Sequence, residues 1–172
     1  AQFPPCNTGV LTEKDDLILD HVSLSWQQDE GFADWHGDHH LYWRCLNAEA
    51  LARPAGSQNC EGGGLHEGHG QLTYTLDVSI LQSIYASINY RVPLLLGRTT
   101  TRVINNLVYN FVTPAMFQNQ IYGTPGNTAA DAWFSSFLGN RLIPGPATPK
   151  SDMVLFFYDN SMGTAAGANQ IY

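Results

Sequence analysis

From Leu72 to Val92 apolar side chains hold the even positions: Leu72, Tyr74, Leu76, Val78, Ile80, Ile84, Ala86, Ile88, Tyr90 and Val92. Thr73, Thr75, Asp77, Ser79, Ser83, Ser87 and Asn89 fill most of the odd ones, and Gln82 is the one break in the even set. A period of two is the mark of a β-strand, whose side chains alternate between faces. One strand of that length would run to about 70 Å, far beyond the usual three to ten residues. The run therefore predicts two strands, or one sharply bent strand, broken near Leu81–Ser83.

Shorter stretches follow the same rule. Val22, Leu24 and Trp26 alternate with Ser23 and Ser25, a half-buried strand. Leu41 to Leu46 is a short apolar run. Val103-Ile104 with Leu107 to Val112, and Met153 to Tyr158, are apolar on both faces and read as central strands. Thr128-Ala129-Ala130-Asp131 has the form of a capping box, Trp133, Phe134, Phe137 and Leu138 fall on one helical stripe, and Gly139 supplies a stop. That pattern predicts one short α-helix over about 128–138. The expected fold is mainly β, an antiparallel β-sandwich or barrel with that single helix.

The organisation expected is a single domain over 1–172, with an N-terminal arm at 1–16 and His/Gly-rich loops at 27–40 and 53–70. Asn-Gln-Ile-Tyr occurs at 119–122 and again at 169–172, but the flanks do not align, so no repeat architecture is expected.

Composition narrows the function classes. Of 172 residues 44% are hydrophobic and only 13% charged, with a net charge of -7. Phosphate binding needs clustered Lys and Arg, so nucleic acid is excluded as a partner and an anionic membrane is disfavoured. No stretch is long and apolar enough for a transmembrane helix. The opening Ala1-Gln2-Phe3-Pro4-Pro5 resembles a mature end left by signal-peptide removal, which predicts a secreted, extracellular protein. In that compartment two of Cys6, Cys45 and Cys60 would form a disulfide, with the connectivity left open. A Cys45–Cys60 bond would close a loop of about 15 residues and contribute roughly 3 kcal/mol. No asparagine begins an Asn-x-Ser/Thr sequon.

Chemistry gathers in the first 70 residues, where all six histidines lie. Five fall in two clumps: His36, His39 and His40, then His66 and His69. Borderline divalent metals such as Zn or Cu take imidazole and carboxylate ligands, so these five are the candidate metal ligands if the two loops meet. Asp38 and Glu67, each beside a histidine, are the candidate catalytic acid–base groups. Against this, His66-Glu67-Gly68-His69 is one residue short of the helical zinc-protease spacing, and its glycines oppose a helix. Trp35 and Tyr42, flanking the first clump, are candidates for stacking on a sugar or organic ligand. No Gly-x-Ser-x-Gly elbow or phosphate-binding glycine loop is present.

Three functions fit these features. The first is a secreted all-β binding or interaction protein, effector-like or ligand-binding, whose partner is a small molecule, a carbohydrate or a protein. The second is a metal-dependent enzyme built from loops 36–40 and 66–69. The third is a self-assembling or pore-forming subunit that uses the amphipathic strands 72–92, whose exposed edge also leaves a homodimer open.

Overall fold

The computed structural model describes residues 8–51, 68–96, 100–112, 118–120, 134–149 and 170–171. Over them the chain winds as a β-solenoid, with three strands in each coil and one strand per coil in each of three sheets. Sheet A stacks β1 (Val10–Thr12), β4 (Glu30–Asp34), β7 (His69–Thr73), β10 (Leu94–Leu96) and β13 (Gln118–Gln120). Sheet B stacks β2 (Ile18–Asp20), β5 (His40–Trp43), β8 (Asp77–Leu81), β11 (Thr100–Ile104), β14 (Phe134–Leu138) and β16 (Gln170–Ile171). Sheet C stacks β3 (Ser23–Ser25), β6 (Leu46–Ala48), β9 (Ile84–Ala86), β12 (Leu107–Tyr109) and β15 (Arg141–Ile143). Every pairing is parallel.

The antiparallel sandwich or barrel expected from the sequence is thus overturned, and the corners supply the reason. Between sheets B and C one residue per coil adopts a left-handed conformation: His21, Arg44, Gln82, Asn105 and Gly139, with φ between 51° and 64°. Trp26, Glu49, Ser87 and Asn110 do the same where the chain leaves sheet C. A hairpin would reverse the chain onto its own strand. A single left-handed residue only bends it, so the next strand lands in a different sheet and pairs one coil later. The coil length shows in contacts between equivalent corners: Trp26 meets Glu49 and Ser83 meets Asn106, each 23 residues apart. Cys45 and Ser83 are 38 apart, because residues 52–67 intervene. Over the described residues the chain is a repeat protein after all, with coils that share strand and corner positions but differ in length and side chains.

The 72–92 run is resolved in the same way. It holds parts of three strands from three sheets, and the inward parity flips at each bend between them, with left-handed Gln82 and Ser87 at the second and third bends. Gln71, Thr73 and Thr75 are buried, then Val78 and Ile80, then Ser83 and Tyr85. Leu76 and Ile84, on the apolar side of the alternation, are exposed. Strands β7, β8 and β9 are each paired on both sides, so none offers a free edge for exchange or insertion.

The predicted helix is also corrected. Phe134–Leu138 is strand β14, in register with Thr100–Ile104, while residues 128–133 lie outside the described part. Its i, i+3, i+4 apolar spacing serves a strand equally well, with Ser135 buried and Phe137 packed on the core. Pairing to β11 overrides the helical stripe. The described residues contain no helix long and apolar enough to cross a membrane. Met153–Tyr158 lies outside the described residues.

A main core fills the solenoid, with Phe32, Tyr42, Val78, Ile80, Tyr85, Ile88, Val103, Val108 and Phe111 among its buried residues, and Leu72 and Leu94 form a small second cluster. Just after each B–C corner a side chain of one coil accepts a backbone N–H from the coil before. Ser83 Oγ accepts from Cys45 (3.1 Å), Asn106 Oδ1 from Ser83 (2.8 Å) and Asn140 Oδ1 from Asn106 (2.9 Å). Each such bond satisfies a buried donor whose orphaning costs about 1–3 kcal/mol. Cys45 is a rung of this ladder, free and buried, its thiol donating to the Leu19 carbonyl. Burial pushes the thiol pKa up, so it is an inert core group. The disulfide expected at Cys45 is therefore absent; Cys6 and Cys60 lie outside the described residues.

Candidate functional site

Where the chain passes from sheet C to sheet A, a buried amide relay fixes the register. Gln27 Nε2 donates to Asn47 Oδ1 (2.6 Å) and to the His69 carbonyl (3.2 Å), and Asn47 Nδ2 donates to the Gly70 carbonyl (2.7 Å). Glu30 then stands opposite His69 in the parallel ladder. A backbone bridge from His69 to Tyr90 brings the next coil alongside, with Arg91 beside it.

Four ionisable side chains from three successive coils meet there. His69 Nδ1 lies 3.4 Å from Asp29 Oδ1 and 3.7 Å from Glu30 Oε1, and the Arg91 guanidinium pairs with the same Glu30 oxygen. The His69 ring stands edge-on to Tyr90 at 5.6 Å. Glu30 is 3% exposed and His69 7%. Removing charges from water costs several kcal/mol per ion, offset only by close partners, so clusters of this kind concentrate at functional sites.

The arrangement offers three kinds of chemistry. An imidazole between two carboxylates can accept a proton and return it. A guanidinium presents a planar fork of donors to an anion. Asp29, Glu30 and His69 also form a candidate metal-binding triad, with one ligand atom from each within 4.8 Å of the others. Arg91 competes with a cation for Glu30, which weighs against the last use.

Among the described residues, the histidines predicted as ligands do not gather into one cluster. His36, Asp38 and His39 lie on the outer turn from sheet A to sheet B, where His39 approaches Asp16 (3.3 Å) and Asp38 (3.6 Å). His40 points into the solenoid, its Nε2 donating to the Lys14 carbonyl at 2.6 Å and its Nδ1 3.4 Å from Asp34. His69 is at the opposite edge of sheet A, in the charged corner. His66 and Glu67 lie outside the described residues. Trp35 is exposed beside His36, whereas Tyr42 is 1% exposed and donates its hydroxyl to Asp34, so its ring faces no outside ligand.

Asp34 is the centre of a second buried network. Besides Tyr42 and His40 it accepts from Thr73 Oγ1 (3.4 Å), and Gln71 links Thr73 to the Tyr85 hydroxyl. Burial pushes the Tyr42 hydroxyl far above its ordinary range and Asp34 adds to it, so it stays a donor. For His40, burial works to lower the imidazole, but Asp34 and the Lys14 carbonyl outweigh it and its pKa is raised. This network is interior and holds the fold together.

Sequence reasoning missed Asp29, Glu30 and Arg91. The available signals were the acidic pair Asp29-Glu30 and the fact that Arg91 is the lone Lys or Arg in the 72–92 run. No family model, curated protein or solved structure matches the chain.

Proposed function

We propose that the chain is an enzyme that moves a proton on an anion-bearing, hydroxylated small molecule or carbohydrate at the Asp29–Glu30–His69–Arg91 corner. The observation that carries this reading is a buried imidazole held between two carboxylates with a guanidinium alongside. His69 is the proton-transfer group, Asp29 and Glu30 orient it, and Arg91 holds the ligand's anionic group. Simple binding without turnover, the first function read from the sequence, would use the same Arg91 contact.

Purified protein assayed on carboxylated and neutral oligosaccharides and on esters should turn over a carboxylated substrate. His69→Ala should slow that turnover by about a hundredfold or more, while His36→Ala on the outer turn leaves it unchanged. Turnover of no substrate, or turnover indifferent to His69→Ala, refutes the enzymatic reading.

The ligand atoms gathered within 4.8 Å favour a second reading, a divalent Zn or Cu ion held by Asp29, Glu30 and His69. Elemental analysis after mild purification should then find close to one ion per chain in the parent and a loss in His69→Ala. Metal below about 0.1 per chain removes this reading, since such donor sets hold borderline metals firmly.

A further inference from the structure

The other edge of sheet A carries a cleft of about 280 Å³, lined by Asp15 from one coil, His36, Gly37 and Asp38 from the next, and Tyr74, Thr75 and Leu76 from a third. Strand β4 separates it from the charged corner, with Glu30 at one end and Asp34 at the other, about 13 Å apart along an extended strand. We infer that this cleft is a second binding site, and that its ligand is an organic ammonium: a protonated amine on a short aliphatic chain.

The floor is built before any ligand arrives. Gly37 has a φ of +100°, and a Cβ there would stand 2.4 Å from the Lys14 carbonyl and 2.9 Å from His40 Nε2. Its own carbonyl accepts from Thr75 Oγ1 (2.7 Å) and from the Leu76 N–H (3.3 Å). The Thr75 hydroxyl is thereby committed. Asp38 Oδ1 accepts the His39 N–H (2.9 Å) and its Oδ2 lies 3.6 Å from His39 Nε2, so what remains around the cavity is the Asp15 carboxylate, the second lone pairs of Asp38, the His36 imidazole and apolar surface.

The apolar surface comes from the Tyr74 ring, against which His36 stands edge-on at 5.7 Å, and from Leu76, which is 54% exposed. No Lys or Arg is among the lining residues. Acceptors therefore outnumber donors, and the best-matched ligand donates hydrogen bonds and carries positive charge. An ammonium head between carboxylates makes charge-assisted bonds, and an aromatic wall adds attraction for a cation. Methylene groups would cover Tyr74 and Leu76. The chain's net charge of -7 favours the approach of a cationic ligand. A neutral sugar needs donors as well as acceptors from its site, which this cleft scarcely offers.

Calorimetric titration of the full chain with spermidine, against a neutral oligosaccharide, tests the inference. Spermidine should bind saturably and more weakly as salt rises. Asp15→Asn and Asp38→Asn should each weaken it by at least about tenfold, with circular dichroism unchanged. His69→Ala, in the other site, should leave the affinity as it was. Absence of spermidine binding, parent-like affinity in both Asp variants, or equally tight binding of the neutral oligosaccharide overturns the proposal.

Discussion

Asp34→Ala is expected to lower the stability of the fold by about 3–5 kcal/mol. The carboxylate is fully buried and three side chains depend on it: Tyr42 and Thr73 as donors, and His40 at 3.4 Å. Alanine takes the acceptor from the Tyr42 hydroxyl and the neighbouring charge from His40 Nδ1 in the solenoid interior, while His40 Nε2 keeps the Lys14 carbonyl. Chemical denaturation read by tryptophan fluorescence gives the loss, and a drop under about 1 kcal/mol would mean that the network contributes little beyond packing. Asp34→Asn keeps the shape and removes the charge, so it remains measurable if the alanine variant fails to fold.

The same network makes stability depend on pH. Because the His40 pKa is raised in the fold, the folded chain holds that proton more tightly than the unfolded chain does. The resulting stabilisation is complete below the ordinary imidazole value, near about 6.5, and is lost as the pH rises through the higher folded value. The parent should therefore lose stability as the pH rises across that window. Asp34→Asn should flatten the slope, since it removes the Asp34 charge that raises the imidazole and leaves only the Lys14 carbonyl and Asp15 to oppose burial.

Glu30→Ala is the second large effect, again about 3–5 kcal/mol, because it leaves the Arg91 guanidinium buried beside His69 without its carboxylate. Arg91→Met should be costly for the mirror-image reason. The double variant Glu30→Gln with Arg91→Met removes both charges and should recover most of the loss, as hydrophobic replacements of whole buried pairs do. A double-mutant cycle decides it: additive losses would show that the two side chains are not coupled.

The strands were largely visible in the alternation, and so was a break at Leu81–Ser83, where Gln82 turns the corner. Their mutual arrangement was hidden. Left-handed residues are ordinarily sought as Gly or Asn, yet three of the five B–C corners hold His21, Arg44 and Gln82. With no glycine to punctuate it, the run from Leu72 to Val92 reads as one amphipathic unit, and the parity flip at each corner goes unseen. The intervening 52–67 segment also spoils the 23-residue period that would have exposed the repeat. As for the site, the histidines drew attention by their number, but among the described ones only His69 joins the charged corner. Glu30 and Arg91 lie 61 positions apart in the sequence, and only the stacking of coils makes them neighbours.

That stacking has a bearing on how the protein matures. In a solenoid each coil contacts only those directly before and after it, so order can spread from any point and stop anywhere. The charged corner takes Asp29 and Glu30 from the start of one coil, His69 from the next and Arg91 from the one after that. A half-wound chain would hold an incomplete set, with a lone buried charge opposing further closure until its counterpart docks. The complete charged corner thus exists only in chains that have wound through three consecutive coils, and the activity proposed for it would double as a report that the middle of the molecule has been assembled.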